Sequence, residues 1–588
     1  MDPLSIAGLT LAVFDQLLKI GERTAQLVST YRGFDADSKT LENKIRDETN
    51  RTNTLSVLLF QPCAAYEDNS LFEQFNEGVQ AQILLFLEHL KRGLITSLHG
   101  ATLTPTKTPG LQQKAKIVDN LTDLNGRIHE NIKLWCLATT IGIDRTHLKH
   151  LKSDDRSKEL GFNIDADLQL TVNDSNGPAE SLEIKDQALY ECLRKPSAKI
   201  EDRFSICSWS GTPVLLEYRA YAPDMPDPVP IRNRTRDVVE KLTQLLHQPK
   251  EMVFRTPSCK GWCLDSTNNR VAFVFSLPPD MDETPFSLLS TVHMQIQPTL
   301  SQRYQLAHGL AKSISQLQLV KCVHESFRSE NILLFPSPAP NTPPSKPESR
   351  LDFRNPWVFG FEFSRPELGF SSGRADRCLA RDVYRHPSRQ GRPNEPFKKL
   401  HDIYALGVVL LEIGLWQPAL TLEREQFKRV RDPFTIQKFL VRHASKTLPL
   451  QVGEKYTEVV VRCLTGDFDM KDDTKEDLKL QQSFRNLVGL AIFSVLMLVI
   501  GGLGVPFLVT GGAFGWSIGA LKLVYTFVYD ITIGPVCYSL SLPSTRLEAK
   551  LVVLSRNSYD IAGIVNTALT PNMLNPDAWG RGKKAISF

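Results

Sequence analysis

Apolar residues recur at helical spacing through the first 150 positions, and polar turn segments separate the repeats. Positions three or four apart lie on one face of a helix, so each repeat predicts a helix with a buried face. Four such stripes predict an all-α helical bundle over residues 1–150. The stripes are Ile6, Leu9, Val13, Leu17 and Ile20; Leu41, Ile45, Thr52 and Leu55; Phe75, Val79, Ile83, Leu87 and Leu90; and Val118, Leu121, Leu124, Ile128 and Ile132.

The first predicted helix is apolar nearly all round, because Leu11, Phe14 and Leu18 cover the side opposite its stripe. Such a helix either packs at the centre of a bundle or enters a membrane. Its short length and its Gly and Thr residues argue against a permanent span. The candidate membrane-inserting residues are Ile6, Leu9, Leu11, Val13, Phe14 and Leu17.

A linker or brace is expected over residues 151–200, where the polar segment 174–180 precedes a short helical pattern. Beyond it, a series of motifs resembles the protein kinases. H-E-S-F-R-S-E-N (324–331) resembles the catalytic loop, G-F-E (360–362) stands in the place of D-F-G, and H-D-I-Y-A-L-G (401–407) resembles the helix that anchors the second lobe. The resemblance implies a bilobal α+β protein-kinase-like domain over residues 201–487, with Asp402 and Gly407 as structural residues.

The same resemblance implies that the catalytic groups are missing. The family's general base falls on Ser326, whose hydroxyl stays protonated near neutral pH, and its magnesium-binding Asp falls on Gly360. Asn331 matches a metal ligand but has no carboxylate partner at Gly360, and Glu362 two positions on is a weak substitute. With His324 and Arg328 these form a degenerate site, so we expect a pseudokinase with neither catalysis nor a metal.

The phosphate-binding part is degenerate too. S-W-S-G-T-P (208–213) has a single glycine, whereas a loop that cradles phosphates needs several. The strand V-L-L-E-Y-R (214–219) resembles V-A-I-K, with Arg219 in the Lys position and Glu240 on the next predicted helix as its candidate partner. No cofactor is expected, although ATP held through Arg219 and Glu240 without catalysis stays open.

The N-terminal region resembles the fungal HeLo domains of prion-linked heterokaryon-incompatibility proteins. The residues that carry this resemblance are D-P-L-S-I-A-G-L-T-L-A-V-F-D at the start, L-S-V-L-L-F after a charged helix, and D-L-N-G-R-I later. In that family the first helix leaves the bundle and permeabilises the plasma membrane. The resemblance implies membrane lipids as partners, a homo-oligomer on activation and an upstream protein trigger.

Composition changes after Arg485, because residues 486–521 carry no charged side chain. About twenty apolar residues cross a bilayer, so the apolar tail over residues 488–588 is long enough for a membrane anchor. A buried apolar tail and a faulty reading frame are the alternatives.

Charge and cysteines exclude several classes of protein. A net charge of +4 over 588 residues, without a basic run interleaved with aromatics, argues against nucleic acid as a partner. The cysteines form no paired C-x-x-C clusters and no secreted disulfide framework. Asp2 precedes any cation, which is the wrong charge order for a secretory signal. We expect a cytoplasmic protein that associates with membranes.

These patterns favour a non-catalytic effector or regulator of fungal programmed cell death. A pseudokinase sensor would control a membrane-targeting bundle. Two alternatives stay open: a divergent active protein kinase that binds ATP through Arg219, Asn331 and Glu362, and an adaptor scaffold that docks partners.

Overall fold

The computed structural model describes residues 5–29, 36–102, 111–173, 181–221, 227–278, 284–337, 350–361, 365–366, 378–390, 396–423, 425, 427, 432–468 and 477–487. The chain divides into two compact units, Met1–Glu88 with Thr108–Leu498 and His89–Lys107 with Val499–Phe588. The second unit is described only along the end of one helix, up to Thr102. The predicted apolar tail, residues 488–588, lies outside the described residues.

The first unit begins with a helical region, as the apolar stripes predict. Its helices are α1 (Ile6–Ser29), α2 (Ala36–Phe60), α3 (Leu71–Gln74), α4 (Glu77–Thr102), α5 (Leu111–Ala138), α6 (Arg145–Ser153), α7 (Asp155–Glu159) and α8 (Phe162–Asn173). The stripe of α5 is buried at Val118, Leu121, Leu124, Ile128 and Ile132, and the stripe that enters α4 is buried from Phe75 to Leu87. An all-helical N-terminal region is therefore confirmed.

A buried histidine ties this helical region together. The Tyr66 hydroxyl donates to Nδ1 of His147 at 2.7 Å, and Nε2–H of His147 donates to the carbonyl of Cys136 at 3.0 Å. His147 is fully buried, and burial lowers its pKa to about 4. The neutral ring therefore bridges two elements, with one nitrogen as donor and the other as acceptor.

A five-stranded antiparallel sheet follows. β1 (Ala198–Ile200), β2 (Phe204–Trp209), β3 (Thr212–Ala220), β4 (Cys259–Asp265) and β5 (Arg270–Ser276) lie in the order β1-β2-β3-β5-β4. Helix α9 (Gln187–Arg194) precedes β1, and α10 (Asn233–His247) connects β3 to β4.

The sheet is covered on both faces, which explains its nearly continuous apolar strands. Successive residues of a strand face opposite sides, so Leu215 shares a core with α10, whereas Leu216 shares a core with α9. The predicted linker over residues 151–200 is mostly helical. Within it α8 adds Leu168 and Val172 to the larger core.

The rest of the described chain is mainly helical. It comprises α11 (Leu288–His293), α12 (Leu300–Leu319), α13 (Leu379–Asp382), α14 (Lys399–Leu415), α15 (Ala419–Leu422), α16 (Pro433–Val452) and α17 (Glu454–Thr465), with residues 478–487 also helical. Short strands pair in two groups: β6 (Phe286–Ser287), β8 (Ile332–Leu334) and β9 (Trp357–Val358), and β7 (Cys322–Val323) with β10 (Arg365–Pro366). Helix α14 is buried along almost its whole length and forms the centre of this part.

Candidate functional site

His324 begins the candidate site directly after β7, where Asp402 of α14 holds the backbone. The N–H of His324 donates to Oδ2 of Asp402 at 2.6 Å, and the N–H of Glu325 donates to Oδ1 at 3.0 Å. Asp402 is buried, and this burial raises its pKa to about 7. Asp402 therefore anchors the loop through two backbone hydrogen bonds.

The His324 ring is fixed in one tautomer. Its Nε2–H donates to the carbonyl of Phe359 at 2.9 Å, and its Nδ1 accepts the N–H of Ser326 at 3.3 Å. The ring is fully buried, and burial lowers its pKa to about 3. Both nitrogens are engaged, so His324 supports the loop and does not act as a base.

Asn331 fills the space beside Gly360. Its Nδ2 donates to the carbonyl of Ser326 at 2.7 Å, and its buried Oδ1 accepts no hydrogen bond among the described residues. Gly360 has a φ of +85°, and a Cβ built on it would lie 2.1 Å from Nδ2 of Asn331. The backbone and the neighbour both exclude a side chain here, so the position cannot take a carboxylate without rearrangement.

Glu217 of β3 is the site residue that sequence reasoning missed. It is 3% exposed, accepts the N–H of Gly360 on Oε2 at 3.2 Å, and forms an ion pair with Arg203 at 3.2 Å. Arg219 lies two residues further along the same face and is half-buried. The signal was available in V-L-L-E: when Val214 is aligned with the first position of V-A-I-K, Glu217 and not Arg219 stands in the Lys position.

Glu240 of α10 turns away from this site. Its carboxylate accepts hydrogen bonds from the Ser181 hydroxyl and from the N–H of Leu182, the latter at 3.3 Å. One turn earlier, Arg236 forms an ion pair with Glu183 at 2.6 Å. The structure therefore uses this face of α10 to hold residues 181–183 and does not pair Glu240 with Arg219.

Around Gly360, the described residues therefore lack the usual groups that bind phosphate and metal ions. The carboxylate of Glu217 is engaged by Arg203 and by the N–H of Gly360, and a single amide oxygen at Asn331 is a poor magnesium ligand by itself. Among the described residues, no three His, Cys, Asp or Glu side chains are grouped as a metal site. Glu362 lies outside the described residues.

Gly407 of α14 permits a close helix crossing. A Cβ at this position would lie 2.8 Å from Cβ of Cys463 and 3.1 Å from the backbone nitrogen of Leu464, both in α17. The absence of a side chain at Gly407 therefore lets α14 and α17 pack closely.

Helix α1 divides the candidate membrane-inserting residues between two environments. Val13, Phe14 and Leu17 are buried, and Phe14 packs edge-on against Phe60 of α2 with ring centroids 5.7 Å apart. Leu9 is 44% exposed, and Ile6 and Leu11 are half-buried. The helix is therefore more one-sided than its sequence suggested. Across the described part of the chain, no helix has the length and apolarity needed to span a bilayer.

A buried polar cluster joins the helical region to the region that contains the sheet. Lys133 of α5 pairs with Asp165 of α8 at 2.5 Å and with Glu251 at 2.8 Å. Gln316 of α12 donates to Asp165 at 2.7 Å. Asp165 is fully buried, and burial raises its pKa to about 6 against the opposing effect of Lys133. We call Lys133, Asp165, Glu251 and Gln316 the junction cluster.

Comparison with known proteins does not assign a family. No family model matches the chain. A stretch of 102 residues is 39% identical to a maltose permease of Saccharomyces cerevisiae, which covers 17% of this chain and 16% of the permease. The general alpha-glucoside permease of the same yeast is 37% identical over 98 residues, 15% of its length. The chain thus spans less than a fifth of these relatives.

Proposed function

We propose that this protein is a non-catalytic regulator in which a pseudokinase region restrains a membrane-acting helical bundle, as in fungal programmed cell death of the heterokaryon-incompatibility type. The observation that carries the proposal is the environment of Gly360, which Asn331 fills and Glu217 faces. A magnesium–nucleotide complex needs carboxylates for the metal and cations for the phosphates. Beside Gly360 the described residues offer one carboxylate, Glu217, which is already engaged by Arg203 and by the N–H of Gly360.

Three features support the kinase-like part of the proposal. The strand order β1-β2-β3-β5-β4, with α10 between β3 and β4, suits the smaller lobe of a kinase-like domain. Asp402 holds two N–H groups of the loop that resembles the catalytic loop. Gly407 allows the close crossing of two helices that follow this loop in sequence.

The junction cluster supports restraint of the bundle. Lys133 belongs to the helical region, whereas Glu251 and Gln316 belong to the region that contains the sheet. Removing one partner from a buried ion pair leaves an uncompensated charge, so the cluster favours one relative position of its elements. A trigger that separates these residues would loosen α5 and α8 from α12.

Helix α1 supports the membrane-acting part. Leu9 already faces solvent, whereas Val13, Phe14 and Leu17 become available only if α1 leaves α2. Burying each of these side chains in lipid returns about 1.5–3 kcal/mol, comparable with its burial in the protein. These side chains can therefore leave their contacts in the protein for contacts with lipid, or with other copies of the chain, at little net cost in free energy.

Dye release from anionic liposomes by the full chain tests this proposal. A release variant, Glu251→Ala with Gln316→Ala, cuts the junction cluster without changing the bundle helices. We expect faster leakage from the release variant than from the unmodified chain. Adding Leu9→Glu to the release variant should abolish leakage, because a charge at this exposed position costs little in folding but opposes insertion.

Leu85→Glu is the matched control, since Leu85 of α4 is 64% exposed and the substitution is the same. The release variant with Leu85→Glu should still leak. Equal leakage with either glutamate, or no leakage from a folded release variant, would contradict the membrane-acting proposal and favour the adaptor scaffold.

We further propose that the apolar tail anchors the protein in a membrane. Residues 486–521 carry no charged side chain, and we infer that the permease-like stretch coincides with the tail, whose length is close to that of the match. The full chain should resist alkaline carbonate extraction from membranes, whereas a chain that ends at residue 487 should be released. Extraction of both to the same extent would contradict an anchor.

A further inference from the structure

A short segment of the chain covers the edge of the five-stranded sheet. Strand β4 is the last strand in the sheet order, so one side of its backbone has no neighbour among β1 to β5. Residues 181–184, which we call the strap, lie along this side in parallel with β4. The N–H of Ile184 donates to the carbonyl of Trp262 at 2.7 Å, and the N–H of Trp262 donates to the carbonyl of Leu182 at 3.1 Å. The strap therefore extends the sheet by main-chain hydrogen bonds, which is also how proteins bind a peptide at a sheet edge.

Gly261 gives the edge a shape that fits the strap. A Cβ at this position would lie 2.5 Å from the carbonyl oxygen of Leu182 and 2.9 Å from Cδ1 of Ile184. Ile184 packs against the core that α9 shares with the sheet. A side chain at position 261 would hold the strap away from β4, so the close approach depends on this glycine.

Two side chains of α10 add a requirement for charge. Arg236 forms an ion pair with Glu183 at 2.6 Å, and its guanidinium lies 5.5 Å from the ring centroid of Trp262. Glu240 accepts two hydrogen bonds from the strap. Main-chain hydrogen bonds suit any extended segment, whereas Arg236 favours a segment with a carboxylate at the central position.

The strap is attached by few contacts compared with the strands of the sheet. Its described main-chain pairing consists of the two hydrogen bonds to Trp262, whereas β3 pairs with β5 along the whole of Val214–Ala220. Ser181 is exposed, and Leu182 and Ile184 are half-buried. Segments with so little buried surface open locally at a much lower free energy than the whole fold. The strap can therefore leave β4 while the sheet stays intact.

The elements beside the strap can stay in place when it leaves. Asp186 caps α9 by accepting the N–H of Ala188 at 2.9 Å, and it also accepts the indole N–H of Trp209 at 2.7 Å. Lys185, between Asp186 and the strap, is exposed and provides the hinge. On the other side, seven residues separate the strap from α8. A chain of that length can reach about 23 Å.

We propose that the edge of β4 binds the strap of a second copy of this chain. In the exchanged pair each strap lies on the edge of the other copy, where it forms the same hydrogen bonds to Trp262 and the same ion pair between Glu183 and Arg236. A second copy is the occupant because its strap has the sequence that the edge already fits. No covalent bond is made or broken.

Concentration decides between the two arrangements, because their contacts are the same. In dilute solution the chain's own strap occupies the edge, since its effective concentration is on the order of millimolar. A high local concentration of the protein favours exchange between copies. The biological role of the exchange rests on the function proposed above, in which a membrane surface gathers several copies. The exchange itself does not depend on that function.

A charge swap between two full-length variants tests the inference. Glu183→Lys places a lysine beside Arg236, and Arg236→Glu places a glutamate beside Glu183, so each variant opposes its own strap and its own dimer. Mixed together, each strap meets the opposite charge on the edge of the other variant. Sedimentation velocity of the fluorescently labelled variants, in one detergent, should show that the mixed pair associates at least about tenfold more tightly than either variant with itself.

Two controls use the same substitutions. Glu458→Lys mixed with Arg462→Glu swaps the charges of an ion pair in α17, whose atoms are 2.9 Å apart, and mixing should not increase association. A single chain with both Glu183→Lys and Arg236→Glu regains the ion pair within itself. It should associate as weakly as the unmodified chain.

Thermal melts of each variant, alone and mixed, complete the test. If a single variant melts early, mixing should raise its Tm, because the contacts between copies replace the repulsion within each copy. The inference would be overturned by mixed variants that associate no more than either variant alone and show no rise in Tm. Equal association of the α17 pair would overturn it as well. No lipid bilayer is present, so the outcome is independent of the membrane activity proposed above.

Discussion

At the residue scale, Glu217 and Gly360 show how a single contact sets the character of the candidate site. Both positions are occupied by ordinary residues of a strand and a loop, and neither would be singled out by composition. Their meaning comes from one hydrogen bond, the N–H of Gly360 to Oε2 of Glu217 at 3.2 Å. The carboxylate, which also pairs with Arg203, stabilises the loop backbone through this contact.

Gly360→Ala is expected to destabilise the protein by about 2–5 kcal/mol, because it adds backbone strain at φ +85° to an overlap with Asn331. Gly211→Ala is the control. Gly211 has a similar φ of +78°, but a Cβ there would meet no atom within 4 Å. Gly211→Ala should destabilise the protein by about 1–2 kcal/mol. Urea unfolding measures the free energy of unfolding of both variants. An equal loss of stability in the two would show that the Asn331 side chain moves aside without an energetic penalty.

His147→Gln is expected to have an effect on stability that depends on pH. The folded pKa of His147 is about 4, below the unfolded value of about 6.5, so the histidine contributes stability that is present above pH 6.5 and is lost as pH falls through 4. The glutamine does not titrate. The substitution His147→Gln should therefore destabilise the protein by about 2–3 kcal/mol less at pH 4.5 than at pH 7.5.

Urea unfolding of both proteins at the two pH values measures this difference. The same substitution at the exposed His293 is the matched control. A cost of His147→Gln that is identical at the two pH values would show that the Tyr66–His147–Cys136 bridge does not keep the ring neutral.

At the scale of elements, α14 is the helix on which the candidate site depends. Asp402 near its start holds the His324 loop, and Gly407, five residues further on, allows close contact with α17. From Ile403 to Leu415 its sequence is apolar nearly all round, which is typical of a central helix. Glu412 is the exception, and it accepts hydrogen bonds from the Tyr384 hydroxyl and the N–H of Ala419.

Gly407→Ala is expected to destabilise the protein by about 1–3 kcal/mol, because the added methyl would overlap Cys463 and the α17 backbone. Gly126→Ala is the matched control in α5, where a Cβ would meet nothing within 4 Å. Helix propensity predicts that the control stabilises by up to about 1 kcal/mol. Thermal and urea unfolding measure the stability of both variants. If Gly407→Ala does not change the stability, α14 and α17 can move apart at little energetic cost.

At the scale of the whole molecule, the full chain is expected to show no rise in Tm on addition of ATP and magnesium. A ligand at one hundred times its Kd would stabilise the folded state by about 2.7 kcal/mol, which a thermal shift assay detects readily. An active protein kinase measured alongside is the positive control. A rise in Tm of several degrees for this protein would contradict the interpretation that the surroundings of Glu217 and Gly360 bind no nucleotide. It would favour ATP binding without catalysis.

Part of the candidate site was predictable because it depends on short-range patterns. Asp402 and Gly407 follow from one helical motif, and the N-terminal stripes follow from helical periodicity, which depends on the backbone alone. The partner of Glu240 was not predictable. Its choice between Arg219 and residues 181–182 depends on how α10 is rotated against the sheet, which no local pattern encodes.

The sequence by itself determined that the N-terminal region is helical and that neither Ser326 nor Gly360 carries a carboxylate. Only the tertiary structure decided that Glu217 faces Gly360, that Asn331 fills the adjoining space, that Lys133 meets Glu251, and that Gln316 meets Asp165. Those contacts join residues more than a hundred positions apart in several cases. Their geometry follows from the packing of whole elements, which local propensity does not set.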